Sequence, residues 1–519
     1  MGRELDHKLS FNIIFWSFFV FVGLPLMYTF GMTIGEWKRD LGLLDGKLFG
    51  LLVRSGLISL IISALSTVIG VVLAFFLYKT DIQFKTFLKV VLLIPLFVSP
   101  YILAVAWRDL FLILGLRSSW ISHLGLIGVL TMIFVPLSVL IIGSGLSNID
   151  ASLEESGLML TSYKEVFWKI ILPLIKPALI SSLVLVFIFS ISEFSVPAYF
   201  GVKVFTTEIF TQFSAFYNHS LAIFQSLLLV VICIALLFAE RQYLVEAPFF
   251  SIGTKGVKQK GYQSSTKLGL WIVMAWLVIS VGLPIVVLFA QAAQGGTAVF
   301  LKSFDLLRHS FLNSITLAFV GALLLTLVGF VAALGYLVQG RRRYQDYFEG
   351  ILLILFAIPS TILGISLIQF YNHPALNFIY SSNAIILIGY TGKFAFIAAK
   401  IIKNSVRQIP KSLIESAEIM GVNYWLCLRK IVFPILKPSI FAAFLVGFIM
   451  CLGELGTTIM LYPPGTEIMP IKVFTLMANA SDSLTSAMVL VALAVSFIAV
   501  LGIYGLAYKM TSKRMKIYD

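Results

Sequence analysis

Charge is what this sequence has least of: only 12% of its 519 residues are Asp, Glu, Lys or Arg, about half the share of a soluble globular domain. Another 59% are hydrophobic, and a soluble fold of this length cannot hide that much apolar surface, whereas a bilayer needs none hidden. Cysteine is scarce as well. Cys233, Cys427 and Cys451 show no CxxC or other ligand spacing and read as small apolar residues. The five histidines (His7, His123, His219, His309, His373) are scattered, and none pairs at i, i+4 with another ligand type, so no metal site is expected. No G-x-x-x-x-G-K-[ST] phosphate loop occurs, and no His/Asp/Cys constellation, which argues against an enzyme and against ATP hydrolysis by this chain. The net charge of +14 does not point to nucleic acid, because the basic residues cluster in short segments between apolar runs.

Those runs predict an all-α polytopic membrane protein. Twelve stretches are long enough to cross as helices: 11–32, 51–78, 87–114, 124–147, 178–200, 220–240, 268–292, 310–338, 349–370, 383–402, 439–461 and 485–508. Phe11–Met32 lacks a small-x-small cleavage site and reads as a retained helix rather than a leader. With both termini in the cytoplasm, most of the 38 Lys and Arg residues fall on the inner side; the reverse orientation places the majority outside.

The chain repeats itself. Ser152-Leu153-Glu154-Glu155-Ser156 resembles Ser412-Leu413-Ile414-Glu415-Ser416. Ile170-Ile171-Leu172-Pro173-Leu174-Ile175-Lys176-Pro177 parallels Ile431-Val432-Phe433-Pro434-Ile435-Leu436-Lys437-Pro438, with one residue fewer in the first copy. The expected organisation is a first half over 1–243, a Gly-, Ser- and Lys-rich cytoplasmic linker over 244–267, and a second half over 268–519. Six spans per half give both halves the same polarity, a parallel repeat whose path is expected between the halves.

In the second copy Glu415-Ser416-Ala417 is followed by three residues, Gly421, nine residues, and then Ile431-Val432-Phe433-Pro434. This resembles the EAA loop of ABC importer permeases, E-A-A-x3-G-x9-I-x-L-P. The first copy keeps Glu155-Ser156-Gly157 and Leu172-Pro173, but the Gly position becomes Thr161, or Leu160 if the two copies are aligned without a gap. Glu suits the start of a short helix, Gly permits a turn, and Pro173 and Pro434 are expected to interrupt the helix before the chain re-enters the membrane. The resemblance implies that the loops 155–173 and 415–434 dock on a separate ATPase subunit, one copy per loop. ATP and Mg would then be used by that partner, with no cofactor in this chain.

Five residues inside the spans stand out as path candidates. Glu193 and Glu454 occupy equivalent apolar helices; they either line the path or anchor a hydrogen bond that breaks each helix. Lys393 could pair with Glu454 or snorkel. Pro100 and Pro359, with Pro95, interrupt the third span of each half, as a gate or as a packing kink.

Ile94-Pro95 through Trp107, Phe205-Thr206-Thr207-Glu208-Ile209, and Gly453-Glu454-Leu455-Gly456-Thr457-Thr458 with Pro463-Pro464-Gly465 look most like the fused permeases of iron(III) importers. That resemblance implies a bacterial cytoplasmic (inner) membrane location and cargo delivered by a periplasmic or surface-tethered solute-binding protein. Fused permeases for thiamine, phosphonates, polyamines or other small solutes share the architecture. An ion-coupled secondary transporter is the competing class. It would suit the intramembrane acids but would leave the paired loops without a role.

Overall fold

The computed structural model describes residues 15–36, 46–116, 118–147, 149, 151–243, 266–337 and 342–515. The protein is an all-α polytopic membrane chain. Among the described residues, eight helices are long and apolar enough to cross a membrane, three further pairs qualify if each bent pair is one span, and Phe15–Gly31 is a shorter apolar helix. All but the last two residues of the expected linker 244–267 lie outside the described residues.

Four expected spans are not straight. The 87–114 span bends by 88° between Lys85–Leu96 and Pro100–Ile113, and the 349–370 span by 104° between Tyr347–Ala357 and Ser360–Tyr371. The 178–200 span ends at Ser192 and resumes as Ser195–Phe200, and the 439–461 span ends at Gly453 and resumes as Thr458–Leu461. Hydropathy averages over a window and therefore passes across such breaks unseen.

Contacts divide the chain into two compact units, Asp40–Gly295 on one side and Met1–Arg39 with Gly296–Asp519 on the other. In the first, Gly46–Lys79 presents a buried stripe of Ser55, Ser59, Ser63, Ser66, Gly70 and Ala74. Small residues let helix backbones approach closely where lipid supplies no hydrophobic drive. A methyl group added at Gly70 would lie 2.6 Å from Ser138 on Ser119–Ser147. The hydroxyls of Thr67 and Ser182, 3.1 Å apart, link this helix to Lys176–Ser192. In the other unit Gly296–Leu334 packs the same way on Ala384–Val406, where a methyl at Gly329 would meet the backbone of Ala399 at 2.5 Å.

The units do not follow the two sequence halves. The first described helix packs with second-half elements: Val22 fills the space above Gly392, and Tyr371 donates to the Phe21 carbonyl at 2.9 Å. Thr266–Leu277, which opens the second half, packs with first-half elements, and Gly269 accepts the Phe76 ring. Each half thus lends its opening helix to the other half's unit. An apolar stretch does not name its neighbour, so the exchange is invisible to hydropathy.

Proline organises the helices in an unexpected way. Four π-turns occur among the described residues: Phe19–Gly23, Phe167–Ile171, Val278–Gly282 and Leu428–Val432. Each is followed directly by an apolar residue and a proline, Leu24-Pro25, Leu172-Pro173, Leu283-Pro284 and Phe433-Pro434. In every case the N–H before the proline reaches back five residues, as Phe433 does to Leu428. A proline in a regular helix offers no N–H, and its ring collides with the carbonyl four residues back. One widened turn accommodates both defects. The expectation that Pro173 and Pro434 interrupt their helices is therefore corrected. Trp425–Gly453 runs through Pro434 as one helix, and in the first half the 62° bend falls after Pro173, between Leu174 and Lys176.

Candidate functional site

The two repeated loops fold into matching elbows. In the first, Ala151–Leu160 is joined through Thr161 and Ser162 to the stalk helix Tyr163–Leu174. In the second, Lys411–Ile419 is joined through residues 420–423 to the stalk that begins at Tyr424. Glu155 and Ser156 in one, and Glu415 and Ser416 in the other, are exposed, while Gly157 and Ala417 are buried. A methyl at Gly157 would lie 2.7 Å from Ile170 and 3.1 Å from Val166, both on the stalk. The third motif position is small because two helices cross there.

The turns differ. Gly421 is left-handed at φ +75, and the Val422 N–H bonds to the Ala417 carbonyl at 3.0 Å, the Schellman closure that favours glycine. The first elbow has one residue fewer and turns without a left-handed residue. The Thr161 N–H bonds to the Gly157 carbonyl at 3.0 Å and Ser162 is extended, so Thr161 takes the glycine's place without strain.

Their attachments differ too. Glu154 accepts a hydrogen bond from the buried Lys79 ammonium at the end of Gly46–Lys79. Lys79 is buried and Glu154 half-buried, so losing either side chain takes a charged partner from the other in a poorly solvated place. The matching residue in the second elbow is Ile414, which cannot form an ion pair. That unit instead carries a cluster farther up its bundle, where Glu349 accepts from Tyr336 at 2.6 Å, pairs with Lys400 at 3.3 Å, and also pairs with Lys403.

Each elbow ends in a bare apolar pair. Met159 and Leu160 are 88% and 89% exposed, and Ile419 and Met420 are 86% and 74% exposed. These residues follow the exposed carboxylates of Glu155 and Glu415, so each tip has a charged flank and an apolar point. Large apolar pairs set out in this way mark contact surfaces. Sequence reasoning passed over them, although an apolar pair ending a charged helix was a readable signal.

The path candidates sit elsewhere. Glu193 closes Lys176–Ser192, ~25 Å of helix from the first elbow at 1.5 Å per residue. Its carboxylate accepts from the Ser195 N–H at 2.9 Å, and its carbonyl accepts from Thr206 at 2.9 Å. Glu454 does the same in the other unit, accepting from the Thr457 N–H at 2.7 Å, with Thr458 on its carbonyl at 2.9 Å. Both glutamates thus hold a helix break open by capping the next short helix.

Three of the second-half candidates converge. Lys393 donates to the Ile358 carbonyl at 2.5 Å, beside the Pro359 break, and a methyl at Gly456 would lie 2.8 Å from Ser360. The break leaves carbonyls without helical partners, and a buried ammonium satisfies one of them. In the first half Ser99 and Pro100 form the matching break, but the position of Lys393 is held by the apolar Ile133. No group of three or more His, Cys, Asp or Glu that could hold a metal is found among the described residues.

Residues 66–245 and again 326–516 match the model of the binding-protein-dependent transport system inner membrane component. The chain belongs to that family. It is the permease of an ABC importer, multi-pass in the membrane, and the two matched segments are its two repeats. The permease is 25% identical to the Fe(3+)-transport system permease protein FbpB 2 of Haemophilus influenzae, over 88% of this chain and 90% of that one. It is 23% identical to the ferric transport system permease protein FbpB of Actinobacillus pleuropneumoniae, over 89% and 72%. A 2-aminoethylphosphonate permease protein, PhnV, of Salmonella paratyphi A is 26% identical over 39% of this chain and 76% of its own length. Among solved structures, a bacterial ABC transporter importing alginate aligns with 47% of this chain and 95% of its own at 19% identity, TM-score 0.40.

Proposed function

We propose that this permease carries iron(III) across the bacterial inner membrane and that its two elbows receive the motion of two copies of an ATPase subunit. ATP and Mg are used on that partner, and a solute-binding protein delivers the cargo from the other side. The observation that carries the coupling reading is the pair of matched tips, Met159-Leu160 and Ile419-Met420, the most exposed apolar residues at the ends of the two elbow helices. The charge balance of the sequence supports cytoplasmic termini and elbows. The cargo reading is supported by ferric permeases that align along most of the chain, whereas the phosphonate relative covers 39% of it. Glu193 and Glu454 act as caps that hold the helix breaks beside the path, and the breaks at Pro100 and Pro359 are the gate.

The test is co-expression with an ABC ATPase subunit and a solute-binding protein from the same genome, followed by reconstitution in vesicles. ATP-dependent accumulation of iron(III), undiminished by excess 2-aminoethylphosphonate, is the expected result. Accumulation without nucleotide or ATPase subunit would end the coupling reading. ATP-driven uptake of another solute with none of iron would end the cargo reading alone.

A further inference from the structure

The two elbows reach their bundles by different routes. The second stalk is continuous with its membrane helix, since Trp425–Gly453 is a single span, so a push passed on through the turn at 420–423 meets no bent junction before the membrane. The first is not, because the chain bends by 62° between the stalk Tyr163–Leu174 and the membrane helix Lys176–Ser192. A bent junction transmits a push poorly unless something else takes it. Lys79 and Glu154 supply that other route. Glu154 lies one residue before the exposed Glu155, on the half-buried face of the elbow helix, and its partner is the last residue of the 34-residue helix Gly46–Lys79. A cation at a helix C-terminus is favoured by the helix dipole, so Lys79 is held from its own side as well.

Resting on the coupling reading above, we propose that Lys79 is a positioning residue that ties the first elbow directly to the helix Gly46–Lys79, so that ATPase motion enters the first repeat through this ion pair and the second through its continuous stalk. The pair replaces the rigidity that the first elbow loses at its bend. Ile414 stands at the matching place of the second elbow, where no tie is required.

The experiment uses the full chain assembled with its ATPase in vesicles, with iron(III) loaded on the solute-binding protein as cargo. ATPase co-purification, ATP hydrolysis and iron uptake are measured together. Lys79→Met is expected to keep the ATPase bound while uptake per ATP falls at least tenfold, and the near-isosteric Glu154→Gln to lower it three- to tenfold. The exchange K79E with E154K is expected to restore the ratio to within threefold of wild type, a rescue that a lysine acting without Glu154 would not give; a merely structural pair would lower ATPase retention and uptake together and leave uptake per ATP unchanged. Ile414→Gln should leave the ratio within twofold. If Lys79→Met fails to assemble, Glu154→Gln and the exchange decide. An unchanged ratio in Glu154→Gln, or an exchange no better than the single variants, overturns the proposal. The coupling reading fails separately, if M159D with L160D retains the ATPase at the wild-type level.

Discussion

The two elbows share their interior and their tips but differ in their turns and anchors. Gly157 lies where the first elbow helix crosses its stalk, Ala417 at the matching position is likewise buried, and both tips carry a bare apolar pair. One turn needs a left-handed glycine and the other does not; one elbow is tied by an ion pair and the other by an unbroken stalk. The small buried position and the exposed tips are kept in both copies, while the turns and the ties to the bundle have diverged. On the proposed coupling, the tips are the part of the repeat that would meet the ATPase.

The strongest way to break that comparison is at the tips. Burying one such side chain contributes about 1.5–3 kcal/mol, so M159D with L160D, or I419D with M420D, should weaken ATPase association about a hundredfold or more. Equal losses in a pull-down titration support matched tips, and a tenfold difference between the elbows contradicts them. Next, Gly157→Val drives a side chain into Ile170 and Val166, which costs about 1–3 kcal/mol of overpacking. A lower melting temperature and lost uptake are expected, with Ala417→Val milder because a methyl is already housed there. A third, smaller effect separates the turns: Gly421→Ala forces a left-handed alanine, about 1 kcal/mol, and should reduce uptake severalfold, whereas Thr161→Ala should do so by less than twofold. The smallest change is expected from Glu193→Gln and Glu454→Gln, since an amide oxygen can still accept from Ser195 and Thr457. Uptake within threefold of wild type fits a capping role, and abolished uptake in a folded variant assigns these carboxylates to the cargo instead.

Much of this was legible beforehand, and what was not has physical reasons. Each expected span overlaps a described apolar helix or bent pair, because lipid selects for composition, but the bounds shift, as where Gly296–Leu334 and Trp425–Gly453 begin well before 310 and 439. The breaks at Ser99–Pro100 and Pro359–Ser360 were marked by their prolines. Pro173 and Pro434 carried the same mark and misled, because proline breaks a helix only where no widened turn relieves it, and the π-turns at Phe167–Ile171 and Leu428–Val432 leave no compositional trace. The elbows could be read from spacing, since Glu155, Gly157 and Glu415 fall at fixed intervals. Lys79–Glu154 could not, because the two residues are far apart in sequence and each alone resembles an ordinary charge at a helix end. Lys393 was singled out by its place in an apolar span, but its acceptor at Ile358 is a backbone carbonyl and therefore has no sequence signature.

The exchanged opening helices change what the central connector does. His219–Tyr243 and Thr266–Leu277, the helices on either side of residues 244–265, belong to the same unit; the chain passes from one unit to the other between Arg39 and Asp40 and between Gly295 and Gly296. A protease that nicked the connector would leave two fragments still holding one another, each with a helix lodged in the other's territory. Either fragment made alone would present an empty slot over Gly392 or beside Phe76.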